Sequence, residues 1–154
     1  PDLVCTFGQR QESIGGVLQA FGFQGAVLHQ DAGTIAEAIS NIQDVGIATD
    51  VEDIAKPLCT HLKKRIQKVR RQVAAIQYDK RPRVLRIMHW EPLISVGPGS
   101  FQHDVIEKAG GVNLTGDGTQ PYSCCKPEVI IQRDPEVIFF CGSEILARLR
   151  EDPQ

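Results

Sequence analysis

An eight-residue pattern at the start of this chain returns near its end, and it constrains the fold more than any other feature. Pro1-Asp2-Leu3-Val4-Cys5-Thr6-Phe7-Gly8 runs from proline and an acid through an apolar stretch to glycine. Pro135-Glu136-Val137-Ile138-Phe139-Phe140-Cys141-Gly142 repeats that order position for position. Proline followed by an acid closes a preceding helix, because proline cannot extend the backbone ladder. The short apolar run suits a strand buried on both faces of a parallel sheet. Glycine then turns the chain off the strand's carboxyl end, where α/β sheets bind ligands. Two such units in one chain predict two lobes of similar build with a cleft between them.

The intervening sequence alternates strand and helix signals. Gln9 to Ala20 has helical spacing at Ile14, Val17 and Leu18 and is closed by Gly22. Ala26 to His29 reads as a strand, and Thr34 with Glu37 forms a capping box that opens a helix ending at Gly46. A second capping box, Thr49 with Glu52, predicts a long helix in which Val51, Ile54, Leu58, Leu62, Ile66, Val69, Val73 and Ile76 keep helical spacing to Tyr78. Pro57 should kink that helix or mark its true start. Its other face carries Lys63, Lys64, Arg65, Lys68, Arg70 and Arg71, which read as a solvated face.

Beyond Pro82 the pattern restarts. Arg83 to His89 is a strand, Trp90 to Gly99 a loop, and Ser100 caps a helix that Gly110-Gly111 terminates. Residues 112 to 126 read as loop, Glu128 to Gln132 as a short helix, and Glu144 to Arg150 as the start of another. The fold class is therefore α/β: two Rossmann-like lobes with parallel sheets joined by one long rigid helix, the first lobe incomplete. The expected division is 1–48, 49–80 and 81–154.

Charge and cysteine content exclude several function classes. The chain has 17 basic and 19 acidic residues, a net of -2, without the overall basic excess of a nucleic-acid binder. No run approaches the ~18 apolar residues of a membrane span. The chain opens on Pro1-Asp2 at a strand entry, which reads as a processed or partial chain and leaves targeting signals undecided. Five cysteines, Cys5, Cys59, Cys124, Cys125 and Cys141, show no zinc spacing and no disulfide framework.

Three readings of individual residues give catalysis little support. Gly97-x-Gly99-Ser100 before a helix resembles an anion cradle, but lacks the third glycine or the lysine of the nucleotide motifs, so a loop with a helix cap is preferred. Cys124 or Cys125 with His89 or His103 would be a nucleophile–base pair. His89, His103, Glu128 and a cysteine would be a metal set, without supporting spacing. Aromatics at loop positions say more: Phe7, Trp90 and Tyr122 lie at strand ends or in Gly/Pro loops and would suit a large flat ligand.

An ordered series of short motifs then resembles the substrate-binding proteins of ABC importers for cobalamin, iron-siderophores and haem. It comprises Pro1-Asp2-Leu3-Val4, Ile39-x-x-Ile42-x-x-Val45-Gly46, the long helix, Trp90-x-Pro92-Leu93, Gly97-x-Gly99-Ser100-Phe101, Ala109-Gly110-Gly111-x-Asn113, and Glu128 ahead of Pro135-Glu136-Val137-Ile138. Cobalamin carriers are the preferred match. The resemblance implies two lobes on a stiff helix with the ligand between them. Phe7 and Tyr122 match positions that face the ligand, and Trp90 falls in a loop that supplies contacts. Gln9, Arg10 and Glu91 complete the candidate set. Glu128 matches the glutamate that docks into arginines of the membrane permease.

The same resemblance implies a non-enzymatic protein with no cofactor of its own. Its cargo would be a corrinoid, or alternatively a ferric siderophore or haem, and its location periplasmic or extracellular, with a lipid anchor as one form. Family members continue on both sides of this chain, so its exposed sheet edges would favour self-association. The rivals are a Cys-dependent or metal-dependent α/β enzyme, and a docking module that uses the charged helix face.

Overall fold

The computed structural model describes residues 1–7 and 12–141. The described chain divides into two compact units between Ile66 and Gln67. The helix starting at Gln9 and the tail helix of Glu144 to Arg150 begin or lie outside the described residues, as do Gln9, Arg10, Gly8 and Gly142.

In the first unit, β1 (Leu3–Thr6) pairs in parallel with β2 (Ala26–His29), with Leu3 opposite Ala26 and Thr6 opposite His29. Between them runs α1 (Glu12–Ala20), and Gly22 at φ +81° turns the chain out of it. Helix α2 (Ile35–Ala48) opens on the expected capping box: Glu37 N–H donates to Thr34 Oγ1 at 3.1 Å, and Thr34 N–H to Glu37 Oε2 at 3.0 Å.

Two expectations about the helix junction are corrected. Gly46 does not end α2; it lies inside the helix and is buried, because a Cβ there would stand 2.3 Å from Ala55 Cβ. Thr49 forms no second capping box. It is the C-cap of α2, and its hydroxyl donates to Val45 O at 2.7 Å. Asp50, at φ 57°, makes the turn into α3 (Glu52–Ala74). At about 1.5 Å per residue this helix is about 34 Å long. Pro57 lies inside it and does not mark its start. Tyr78–Lys80 is a separate 3-10 turn, so α3 stops four residues short of Tyr78.

The second unit is built on β3 (Arg83–His89), which has the boundaries its sequence predicts. Four of its seven residues are buried, and Leu85, Ile87 and Leu114 form a core cluster. On one edge β3 pairs in parallel with β7 (Val137–Phe140). Val84 also pairs with Asn113 of β5 (Val112–Asn113), and Ile87 also pairs with Ser95 of β4 (Ile94–Val96), so β5 and β4 share the other edge. Strand β6 (Tyr122–Cys124) runs antiparallel to β4.

The sheet is therefore mixed rather than purely parallel. The expected loops at 90–99 and 112–126 each hold short strands, which are too brief to show a period of two in the sequence. The Pro1 and Pro135 patterns do form equivalent strands, Leu3–Thr6 and Val137–Phe140, each parallel-paired. Burial on both faces does not follow. Val137, Ile138 and Phe139 are each more than a third exposed, since among the described residues β7 pairs with β3 alone. Helices α4 (Phe101–Lys108) and α5 (Pro127–Arg133) complete the unit. Among the described residues no helix is long and apolar enough to cross a membrane.

Candidate functional site

The loops of the second unit are held by a buried polar network. Asn113, 5% exposed, places its amide nitrogen 2.8 Å from Val96 O and 2.9 Å from His103 Nδ1. Its backbone N–H donates to Glu107 Oε1 at 3.1 Å. Thr115 Oγ1 donates to Val96 O at 2.7 Å and lies 3.0 Å from Ser95 Oγ. Gly97 N–H donates to Pro121 O at 2.8 Å, and a Cβ on Gly97 would stand 2.3 Å from Gln120 O. Only glycine lets the 115–121 segment cross so closely, and that segment leads directly into Tyr122.

Gly97-x-Gly99-Ser100 is a cap, not an anion cradle. Ser100 Oγ accepts from His103 N–H at 3.2 Å and donates to Gly97 O at 2.8 Å, which occupies the amino-terminus of α4. The histidines are likewise committed. His89 Nδ1–H donates to Pro92 O at 3.0 Å across the Trp90–Leu93 turn, and His103 faces Asn113. Among the described residues no group of three His, Cys, Asp or Glu is placed to hold a metal.

The candidate contacts differ in character. Phe7, at the end of β1, is 80% exposed. Trp90 is half-buried and packs on the Leu85–Ile87–Leu114 cluster, so part of its surface is structural. Glu91 is exposed beside it. Tyr122 is 49% exposed and stands opposite Val96, on the same face of the β4–β6 pair as Cys124. Its hydroxyl donates to Gln102 Oε1 at a long 3.4 Å. Glu128 is exposed in the first turn of α5. Tyr122 and Glu128 thus sit on one continuous run of chain, β6 into α5.

Beside that run lies a cavity of about 240 Å³, lined among others by Thr115, Ser123, Cys124, Cys125 and Ile130. It falls below the ~300–1,000 Å³ typical of ligand pockets, so it has room for a small polar group and not for a macrocycle. Arg133, also on its wall, binds Asp117 through two hydrogen bonds at 2.7 and 2.8 Å and donates to Leu114 O at 2.6 Å. Hydrogen bonding from Arg133 holds the Asp117 carboxyl below the usual carboxylate range, and Asp117 in turn raises the Arg133 guanidinium. Burial pushes the Cys125 thiol up. The Asp117–Arg133 pair has no local sequence signal, since its members are 16 positions apart. Asn113 did have one, in the Ala109-Gly110-Gly111-x-Asn113 motif.

Comparison with known proteins places this architecture. The vitamin B12-binding protein of Salmonella typhi is 26% identical over 143 residues, 92% of this chain and 52% of its own length. That of Vibrio cholerae is 25% identical over 122 residues, 79% of this chain and 42% of its own length. The chain thus spans about half the length of the curated relatives it matches. Among solved structures, the periplasmic vitamin B12 binding protein BtuF of Vibrio cholerae superposes with a TM-score of 0.77 at 22% identity, over 98% of this chain and 58% of that one. IsdE of S. aureus complexed with heme gives 0.76 at 18% identity, over 99% and 60%. At these identities the two structures show the fold. The model of the periplasmic binding protein family matches residues 11–153, so the chain belongs to that family.

Proposed function

We propose that this chain is part of the solute-binding component of an ABC importer, and that it captures cobalamin or a related corrinoid and delivers it to a membrane permease. The family match over residues 11–153, with vitamin B12-binding proteins among the relatives, carries this reading. The work is capture and release, with no bond made or broken. Exposed aromatic surface at strand ends, Phe7 in the first unit and Tyr122 in the second, suits a flat, partly apolar corrin. Trp90 and Glu91 on the β3–β4 turn add contacts, with Trp90 held in place by the core beneath it. Gln9 and Arg10 belong to the same proposed set.

Glu128 is the proposed permease contact. Its exposure in the first turn of α5 leaves the carboxylate accessible to a basic partner. The proposed location is periplasmic, or extracellular on a lipid anchor. Titration with cyanocobalamin, haemin and a ferric siderophore, followed by absorbance, tests the ligand class. Saturable binding of cyanocobalamin in preference to the other two is expected. Binding of haemin or the siderophore alone would replace the corrinoid reading with the iron or haem one.

A further inference from the structure

One ring nitrogen of His89 is used and the other is open. Nδ1 lies 3.0 Å from Pro92 O, and a carbonyl oxygen only accepts, so the proton of the neutral imidazole sits on Nδ1. Nε2 keeps an unprotonated lone pair, and among the described residues nothing hydrogen-bonds to it. The residue is exposed at the carboxyl end of β3. An N–H held by a backbone carbonyl and a free lone pair on the opposite nitrogen is how metal-ligating histidines are oriented.

The other histidines are not arranged this way. His103 Nδ1 accepts from the Asn113 amide at 2.9 Å, which puts its proton on Nε2. His29 Nδ1 faces the Thr6 hydroxyl at 3.2 Å, a group that both donates and accepts and so fixes no tautomer. His61 is exposed on α3, and among the described residues no hydrogen bond orients it.

Strand register decides which way His89 points. Ile87 pairs with Ser95, but the next pair is His89 with Ile94, so β3 carries one extra residue there. Without that bulge His89 would share the face of Ile87 and its core cluster; with it, His89 shares the face of Ile94. Ile94 pairs in turn with Cys124, and Tyr122 lies two residues along β6 on the same face. His89 and Tyr122 therefore present to one side of the sheet. Trp90, packed on Leu85, Ile87 and Leu114, anchors the turn that follows His89.

We propose that His89 Nε2 is an axial ligand for the cobalt of a corrinoid, favouring cargo whose cobalt carries a replaceable water. This rests on the corrinoid-carrier reading. In the exchange the Nε2 lone pair forms a Co–N bond, the Co–O bond to water breaks, and water leaves. Cobalt stays Co(III), and neither a proton nor an electron is transferred. Tyr122, on the same face, is available to the macrocycle while His89 holds the metal.

Titrations near neutral pH with aquocobalamin, which carries water on cobalt, and cyanocobalamin, whose cyanide is held firmly, test the proposal by absorbance and Trp90 emission. Aquocobalamin should show a shift of its visible bands that saturates at one equivalent. Cyanocobalamin should quench Trp90 without such a shift. His89→Asn keeps a side-chain N–H for Pro92 O but has no ligating ring nitrogen. It should lose the aquocobalamin shift and retain the cyanocobalamin quenching, whereas His61→Ala should keep both. A shift that survives in His89→Asn, a shift lost in His61→Ala, or a His89-dependent shift with haemin and none with aquocobalamin would each overturn the proposal. Cyanocobalamin quenching with no aquocobalamin shift would defeat axial ligation alone; absence of both would defeat the carrier reading with it.

Discussion

Arg133 clasps Asp117 through both terminal guanidinium nitrogens, and Nη1 reaches on to Leu114 O, so one side chain ties α5 to the loop that leads into Tyr122. The pair lowers the folded-state titration of Asp117 relative to the unfolded chain. Its contribution is therefore complete above the ordinary carboxylate range and is lost as pH falls through the depressed folded value. Asp117→Asn should unfold at a slightly lower temperature than wild type at neutral pH, the pair being largely exposed. The gap should close in strong acid. Thermal midpoints over that range check this, and a gap independent of pH would contradict it.

Gly46 and Ala55 set how closely α2 approaches α3. The missing Cβ at Gly46 accommodates Ala55 Cβ, which would otherwise lie 2.3 Å away. Gly46→Ala gains up to about 1 kcal/mol in helix propensity but overpacks a buried contact at about 1–3 kcal/mol, so a net loss of about 1 kcal/mol is expected. Adding Ala55→Gly should relieve the clash, with a coupling of about 1 kcal/mol between the two changes. Urea denaturation of the two single variants and the double variant measures it; strict additivity would show that the contact is not tight.

Much of the frame was legible because its signals are local. The capping box at Thr34 and Glu37, the left-handed glycines Gly22 and Gly110, and the whole of β3 follow from residues within one or two turns of each other. The two matched strands β1 and β7 were legible for the same reason. Features set by distant partners were not. Gly46 looked like a helix terminus because its reason for being glycine is Ala55, in another helix. Thr49 had the spacing of a cap, but its hydroxyl is used by Val45. Strand β6 exists through β4, and β4 through β3 and β6, and neither has the length to announce itself. At the site, Trp90 could be placed in a loop, while its packing on Leu85, Ile87 and Leu114 required the fold.

The two adjacent thiols should differ in reactivity. Burial raises the Cys125 thiol, whereas Cys124 is exposed. Iodoacetamide at mildly alkaline pH should label Cys124 well before Cys125, since the thiolate is the nucleophile. Peptide mass mapping over time reads this directly. The double variant Cys124→Ala, Cys125→Ala should keep corrinoid binding; loss of binding would implicate the thiols in the site.

Tyr122 is the contact whose removal should be most selective. Its ring is half exposed, and among the described residues its hydroxyl has only the long bond to Gln102. Tyr122→Ala should weaken cyanocobalamin binding by about 3–10-fold at unchanged thermal stability, and Tyr122→Phe should bind as wild type. Calorimetric titration gives both affinities. An equal loss in the phenylalanine variant would show that the hydroxyl, not the ring, makes the contact.

Trp90 is the chain's single tryptophan, and it lies on the turn proposed to touch the ligand. Titration of cyanocobalamin against the chain, with Trp90 emission followed and corrected for absorption by the corrinoid, therefore reports on the proposed site itself. Corrinoid capture predicts saturable quenching that ends at one equivalent. Emission that shows no saturable change with cyanocobalamin, while haemin quenches it stoichiometrically, would contradict the account.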